Sequence, residues 1–398
     1  MLDKYIKLIM EGCLKFTNSD TLFISYDSYV NEEFKKNLDD YLEQHEIKNV
    51  YFFDRDSQKK KEILQTKTNE EIEEYYVPLF DKWDEYASLN AKFLMLVSEI
   101  PGFMDDVSKE KIAYYQELFQ NHTSLFRKKE TSMEIAWCIC AVPNIYWAQD
   151  IFKDDNNALE KLTNAIYKMC MINEENPYKS WCQYMNFLKE KTKKLNDLHI
   201  KKFHYENSLG TDLWITLPHN YLFKSAADEE ILVNMPSYEV FTSPFYKETE
   251  GIVYSSKPLV YNGVTIEDFY LKFKNGKVVD FKATKGNEML KHILDLDEQS
   301  AYLGEVALVP YDSPISNMNL TFKSTLFDEN ASCHLALGAG FPECIFTNEE
   351  KTDDLLLEKG VNVSKSHVDF MIGTKDLKIT AITDDGEILI FKDGNFVL

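Results

Sequence analysis

The first half of the chain alternates short apolar runs with longer amphipathic segments. The apolar runs have the length of β-strands, and the segments between them repeat apolar residues with the period of an α-helix. Strands separated by helices favour a parallel sheet covered by helices, which is the arrangement of an α/β domain. The predicted strands are 21–26, 50–53, 91–98 and 135–142, and the predicted helices are 32–44, 70–86, 108–126, 158–171 and 177–198. No G-x-G-x-x-G or Walker sequence lies among them, so no motif supports nucleotide binding.

The second half is marked by two-residue turns between short apolar runs. Asn262-Gly263, Asn275-Gly276 and Asp393-Gly394 are typical of tight β-hairpins, because these residue types adopt positive φ at little cost. Such hairpins predict an α+β domain rich in antiparallel sheet. A chain of 398 residues also exceeds the usual size of one hydrophobic core. We therefore predict an α/β domain at 1–190 and a second domain at 191–398.

Charge and cysteine content indicate which partners and which cellular location to expect. The formal net charge of −22 argues against clustered cations that would neutralise a phosphate backbone, so we expect no nucleic-acid partner. No run of about 20 apolar residues is present, which is the length needed to span a membrane. The seven cysteines are odd in number and scattered, which is typical of reduced thiols. We expect a cytoplasmic protein without a membrane partner.

Five residues of the second half have side chains suited to binding metal ions. His367 and Asp369 are two positions apart, so strand alternation would place both on one face. His334 lies in an almost uncharged segment, either as a hydrogen-bonded core residue or as a ligand facing a cavity. Glu239 and Glu305 are single acids in apolar runs, where an unpaired carboxylate is costly. An ion pair is the competing explanation, but these segments contain few cations. A metal ion would serve the acids and the histidines together.

Several longer segments occur in a recognisable order along the chain. They are 137–152 (WCICAVPNIYWAQDIF), 234–244 (NMPSYEVFTSP), 257–261 (KPLVY), 303–305 (LGE), 309–316 (VPYDSPIS), 330–338 (NASCHLALG) and 366–373 (SHVDFMIG). Together they resemble the aminopeptidase S and aminopeptidase T family of dinuclear metallo-aminopeptidases. The resemblance extends over nearly the whole chain, so a chance match in this order is improbable.

The resemblance implies a metal-dependent exopeptidase that releases N-terminal amino acids from short peptides. It places the metal ligands in the domain at 191–398, at Glu239, Glu305, His334, His367 and Asp369. The implied cofactors are two divalent metal ions, zinc, cobalt or manganese. The implied partners are short peptides with a free N-terminus and a second copy of the chain in a homodimer. A metal-bridged hydroxide would be the nucleophile, and we expect Glu305 to be the bridging or base-like carboxylate.

Two positions depart from the family pattern. Phe341 stands where family members usually have a tyrosine that reaches the metals, and Tyr238 stands where an acidic residue is expected before Glu239. The missing phenol leaves open a low-activity or inactive relative that acts as a binding or scaffold protein. A dinuclear hydrolase of another amide is also open, because it would share the same ligands. All five implied ligands are present, which favours an active aminopeptidase.

Overall fold

The computed structural model of the protein describes residues 1–27, 29–153, 155–225 and 233–398. The chain forms two compact units, of which the first contains residues 1–182 and 233–237 and the second contains 183–225 and 238–398. The segment 233–237 belongs to the first unit because Asn234 and Met235 pair with Ile139 and Cys140.

The first unit is built on a parallel sheet of five strands. In spatial order the strands are Val50–Asp54, Leu22–Tyr26, Lys92–Val97, Trp137–Ala141 and Asn234–Met235. The helices that cover the sheet are Leu2–Lys7, the π-helix Leu8–Cys13, Glu32–Gln44, Ser57–Thr66, Asn69–Ser88, Lys109–His122, Ser124–Thr131, Ile145–Phe152 and Ala158–Met169. This architecture confirms the predicted α/β fold of the N-terminal part. A further helix, Pro177–Asp197, begins in this unit and ends in the second.

Aromatic rings fill the core of the first unit. The ring centroid of Phe23, on a sheet strand, lies 4.9 Å from those of Trp83 and Phe93. Trp83 in turn contacts Phe126 at 4.8 Å. Large rings buried in this way supply much of the hydrophobic stabilisation of a domain, because each removes a large apolar area from water.

The helix predicted at 108–126 is instead two helices, which meet at Thr123. Thr123 has φ −125°, outside the helical range. The carboxylate of Asp84, from another helix, accepts hydrogen bonds from the backbone N–H groups of Leu125 and Phe126, at 3.1 and 2.8 Å. A cap supplied by a distant residue starts the second helix. The prediction of a single helix was wrong because neither glycine nor proline marks the break.

The second unit contains an antiparallel sheet of eight strands. Their spatial order is Lys277–Lys282, Tyr270–Lys274, Thr249–Tyr254, Asp212–Thr216, Lys202–Glu206, Lys378–Thr383, Gly386–Lys392 and Asn395–Phe396. The turn Asn275-Gly276 joins two of these strands with φ 50° and 79°, and Asp393-Gly394 joins another pair with φ 50° and 71°. The hairpin Leu259–Tyr261 with Val264–Ile266 turns at Asn262-Gly263. The predicted antiparallel character of the second half is confirmed.

A second antiparallel sheet in this unit has five strands. In spatial order they are His367–Met371, His334–Gly338, Leu303–Leu308, Val240–Thr242 and Lys224–Ser225. The remaining helices of the unit are Asn287–Leu294, Ser316–Met318, Thr325–Glu329, Pro342–Cys344 and Asp353–Lys359. Within the described ranges of the chain, no helix is long and apolar enough to cross a lipid bilayer. The five-stranded sheet carries the residues described next.

Candidate metal centre

Small residues in one strand of the five-stranded sheet make room for acidic and imidazole side chains. Ala336 pairs with Glu305 on one side and with Asp369 on the other, so all three side chains leave the same face of the sheet. Gly338 pairs with His367 in the same way. A methyl group at Ala336 and a hydrogen at Gly338 leave the space above the central strand to the longer polar side chains.

The remaining two candidate residues reach the same face from neighbouring strands. His334 pairs with Ala307, and Ala307 pairs on its other side with Phe241. Glu239 lies two residues before Phe241, so strand alternation gives it the same direction. The Glu239 carboxylate oxygen Oε2 lies 3.1 Å from Nε2 of His334.

A β-bulge adjusts the position of Glu305. The register between strands shifts between Leu303 and Glu305, which leaves Gly304 as the extra residue. A Cβ atom at Gly304 would lie 2.1 Å from the carbonyl oxygen of Ala339, so only glycine fits this close approach. The direction of the Glu305 side chain therefore depends on the bulge, and the bulge requires glycine at position 304.

The five side chains form two groups that share Glu305. One group contains Glu239, Glu305 and His334, and the other contains Glu305, His367 and Asp369. In each group the ligand-capable atoms lie within 4.8 Å of one another. Nε2 of His367 lies 3.1 Å from Oε2 of Glu305 and 3.2 Å from Oδ1 of Asp369. The structure thus brings together all five residues that the sequence analysis names as candidate metal ligands, although they are far apart along the chain.

Backbone carbonyl groups fix the orientation of both imidazoles. Nδ1 of His334 donates to the carbonyl oxygen of Glu329 at 3.0 Å, and Nδ1 of His367 donates to that of Ala339 at 2.8 Å. A carbonyl oxygen accepts only, so Nδ1 carries a proton in both rings. This leaves Nε2 of each ring directed at the carboxylates, and Nε2 is the atom with which each histidine would bind a metal ion that displaces its proton.

Burial and mutual charge perturb the titration of these side chains. Burial raises the pKa of Glu305 to about 7, the charges of Asp369 and Glu239 add to the effect, and the hydrogen bond with His367 opposes it. Burial disfavours the charged form of His334, but its hydrogen bond to Glu239 and the nearby carboxylates outweigh burial and raise its pKa to about 10. Burial likewise raises the pKa of Asp369, yet the two imidazoles lower it to about 2. The imidazoles thus hold positive charge among the acids.

One buried atom in the group lacks a hydrogen-bond partner. Oδ1 of Asp369 is buried and, among the described residues, accepts no hydrogen bond. Its 3.2 Å separation from Nε2 of His367 is within ion-pair distance without the geometry of a hydrogen bond. A buried acceptor left in this way is costly unless another partner serves it. Three carboxylates and two imidazoles with one such acceptor fit a divalent cation.

The sequence reasoning did not single out Glu329. This residue ends the short helix Thr325–Glu329 and is only 8% exposed. Burial raises the pKa of Glu329 well above its ordinary value, and the charges of Asp369 and Glu239 add to this. Its carboxylate therefore lies in the field of the same cluster. The sequence feature that could have indicated Glu329 is its place directly before the uncharged segment that contains His334.

The two positions that depart from the family pattern have different surroundings. The ring of Phe341 lies 5.0 Å from that of His367 and 5.0 Å from that of Phe241, so it borders the cluster. Tyr238 is fully buried and packs edge-on against Tyr184 at 4.9 Å. The change to phenylalanine thus lies beside the candidate ligands, whereas the tyrosine ring contributes to packing.

Carboxylates and imidazoles that converge on one face of a sheet are the ligand types found at the centres of metal-dependent hydrolases. Residues 1–396 match the family described as thermophilic metalloprotease (M29), and the chain belongs to this family. The match confirms the resemblance to aminopeptidases S and T and implies a divalent metal cofactor.

Two named relatives and a solved structure agree with this assignment. The chain is 40% identical over 321 residues to aminopeptidase AmpS of Bacillus subtilis (strain 168), covering 79% of this chain and 78% of that protein. It is 35% identical over 403 residues to aminopeptidase 2 of Geobacillus stearothermophilus, covering 99% and 97%. The structure of wild-type AmpT from Thermus thermophilus superimposes with a TM-score of 0.88 at 26% identity, covering 100% of this chain and 99% of that one.

Proposed function

We propose that the protein is a metal-dependent aminopeptidase that releases N-terminal amino acids from short peptides, with its catalytic domain at 191–398. Two divalent ions, zinc, cobalt or manganese, would be held by Glu239 and His334 on one side and by His367 and Asp369 on the other, with Glu305 between them. The observation that carries this proposal is the sharing of Glu305 by two groups of ligand-capable atoms. The family membership supports the metal dependence and the peptide substrate.

The roles of the residues follow from their positions. Bound divalent ions supply Lewis acidity and a water of lowered pKa. The Nδ1 hydrogen bonds of His334 and His367 keep their Nε2 atoms directed at the centre. The carboxylates favour the free α-amino group of a substrate, which selects the N-terminal residue. Glu305, which is 3% exposed, is screened from bulk water. It would act as the carboxylate shared by the two ions or as the base that takes the proton of the attacking water and returns it to the leaving amine.

Chelation and substrate blocking test this function together. Protein dialysed against a chelator is expected to lose hydrolysis of a free dipeptide and to regain it with zinc, cobalt or manganese, because the bound ions supply the Lewis acidity and the water of lowered pKa. The N-acetylated dipeptide is expected to resist cleavage, because it lacks the amine. Equal cleavage of both peptides would indicate a hydrolase of another amide, and no cleavage by metal-loaded protein would indicate a binding or scaffold protein.

The cellular location and oligomeric state are part of the same proposal. All seven cysteines are unpaired thiols, which supports a cytoplasmic location. The family resemblance supports a homodimer. Light scattering of the purified protein would test the homodimer, because it gives the mass of the particle in solution; a single-chain mass of 46.5 kDa would contradict it.

A further inference from the structure

Lys224 lies on the same sheet face as the candidate metal ligands. The strand Lys224–Ser225 forms the end of the five-stranded sheet, next to Val240–Thr242. Lys224 pairs with Phe241, so the two side chains leave the same face, as does Glu239 two residues before Phe241. Neighbouring strands are about 4.8 Å apart. Lys224 is therefore one strand beyond the cluster, on the side of Glu239.

The ammonium group of Lys224 forms no ion pair in the described part of the chain. The side chain is half-buried, and none of the described residues forms an ion pair or hydrogen bond with its Nζ atom. Lys257 of the same unit, by contrast, pairs with the buried carboxylate of Asp328 at 3.4 Å. A half-buried cation without such a partner is available to an anionic group of a ligand.

Two further observations connect Lys224 to the centre. The rings of Phe241, Phe341 and His367 follow one another at 5.0 Å spacings and form an aromatic wall from the Lys224 strand to the ligands. The thiol of Cys344 lies within electrostatic range of both Glu305 and Lys224. Burial raises the pKa of Cys344, the charges of Glu343 and Glu305 add to the effect, and the ammonium of Lys224 opposes it.

A short peptide bound at the centre brings its own negative charge. Its C-terminal carboxylate lies beyond the scissile bond and gains free energy from a cationic partner of its own. In a dipeptide or tripeptide this carboxylate lies one or two residues beyond the scissile bond, or about 3.5 to 7 Å for an extended chain. The strand of Lys224 is two strand spacings, about 10 Å, from the strand of Glu305, and the lysine side chain extends over the same face of the sheet as Glu305.

We infer that Lys224 binds the C-terminal carboxylate of dipeptide and tripeptide substrates and so makes the enzyme selective for short peptides. This inference rests on the proposed aminopeptidase function. It predicts that leucyl-leucine is hydrolysed with a higher kcat/KM than leucyl-leucinamide, because the amide lacks the charge that the ammonium group recognises.

The test compares these two substrates in Lys224→Met, Lys224→Arg and wild-type protein. Lys224→Met is expected to lower kcat/KM for leucyl-leucine by about tenfold, through KM, and to leave leucyl-leucinamide within about twofold, as for loss of one partly buried ion pair. Lys224→Arg keeps the charge and should retain most of the preference. Lys274→Met removes an exposed lysine of the eight-stranded sheet and serves as the matched control.

The outcomes separate this inference from the proposed function. Hydrolysis of both substrates with an unchanged ratio in Lys224→Met would overturn the role of Lys224 and leave the aminopeptidase assignment in place. Absence of hydrolysis of both substrates by wild-type protein would overturn the assignment itself. Glutamyl-leucinamide distinguishes a side-chain carboxylate from a C-terminal one: if Lys224→Met affects this substrate and not leucyl-leucine, Lys224 recognises the N-terminal residue and the inference is wrong.

Discussion

Replacement of Glu305 by glutamine is expected to lower kcat by about 10³-fold, the upper end for loss of one contact that stabilises a transition state. Glu305 belongs to both groups of ligand-capable atoms, so its charge serves both proposed ions. An amide of the same size preserves the volume of the side chain and removes only the charge. We therefore expect the bound metal to fall from two ions per chain to one or none. Steady-state kinetics and elemental analysis of the purified variant measure the two effects.

The control for this change is Glu206→Gln, which removes a carboxylate from the eight-stranded sheet, outside the cluster. It should bind metal and hydrolyse peptides as the wild type does. The metal-free Glu305→Gln protein should melt no lower than metal-free wild type, because burial and the charges of Asp369 and Glu239 oppose ionisation of Glu305. Full metal content together with unchanged kcat in the variant would contradict the proposed role.

Replacement of Phe341 by tyrosine is expected to raise kcat by up to about 10²-fold with little change in KM. Phe341 borders the cluster, with its ring 5.0 Å from that of His367. A phenol at this position would donate a hydrogen bond to negative charge that develops in the transition state, and such a contact affects kcat more than ground-state binding. Kinetics with a free dipeptide and thermal melting of both proteins provide the measurement.

Phe281→Tyr is the matched control, because it adds a hydroxyl group to a ring of the eight-stranded sheet, outside the cluster. It should leave kcat within about twofold, since a hydroxyl without a transition-state partner gives no differential stabilisation. If the pocket has instead repacked around a phenyl ring, the hydroxyl of Phe341→Tyr would find no partner. The free energy of unfolding would then fall by about 1–3 kcal/mol without a gain in rate, and the expected role of this position would be wrong.

Sequence patterns predicted those parts of the fold that depend on residues adjacent in the sequence. The Asn-Gly and Asp-Gly turns predicted hairpins because positive φ is a property of those residues themselves. The break at Thr123 could not be predicted in this way, because the carboxylate that caps the next helix comes from Asp84, in another helix. The strand Asn234–Met235 was missed for a similar reason, since its two residues pair with a strand distant in sequence.

In the candidate centre, too, features set by neighbouring residues could be predicted and features set by residues distant in sequence could not. His367 and Asp369 could be placed on one face from alternation alone, which operates within a single strand. The approach of Glu305 to both of them depends on the bulge at Gly304, which is a property of two paired strands. Glu329 resembles a surface residue in the sequence, because an acid at the end of a helix is normally solvated. Only the packing of its helix shows that it is buried.

The late strand Asn234–Met235 affects how the protein is made on the ribosome. A nascent chain that has emerged only to residue 190 contains the first four strands of the parallel sheet but lacks the fifth. In the folded protein the backbone N–H of Ile139 donates a hydrogen bond to the carbonyl oxygen of Val233. In the nascent chain this N–H has no partner, so the strand that contains Ile139 is an open edge of the sheet. Open edges recruit other chains, so the first unit depends on continued translation to close its sheet. Ribosomes stalled before this strand would release a product prone to aggregation and in need of chaperones.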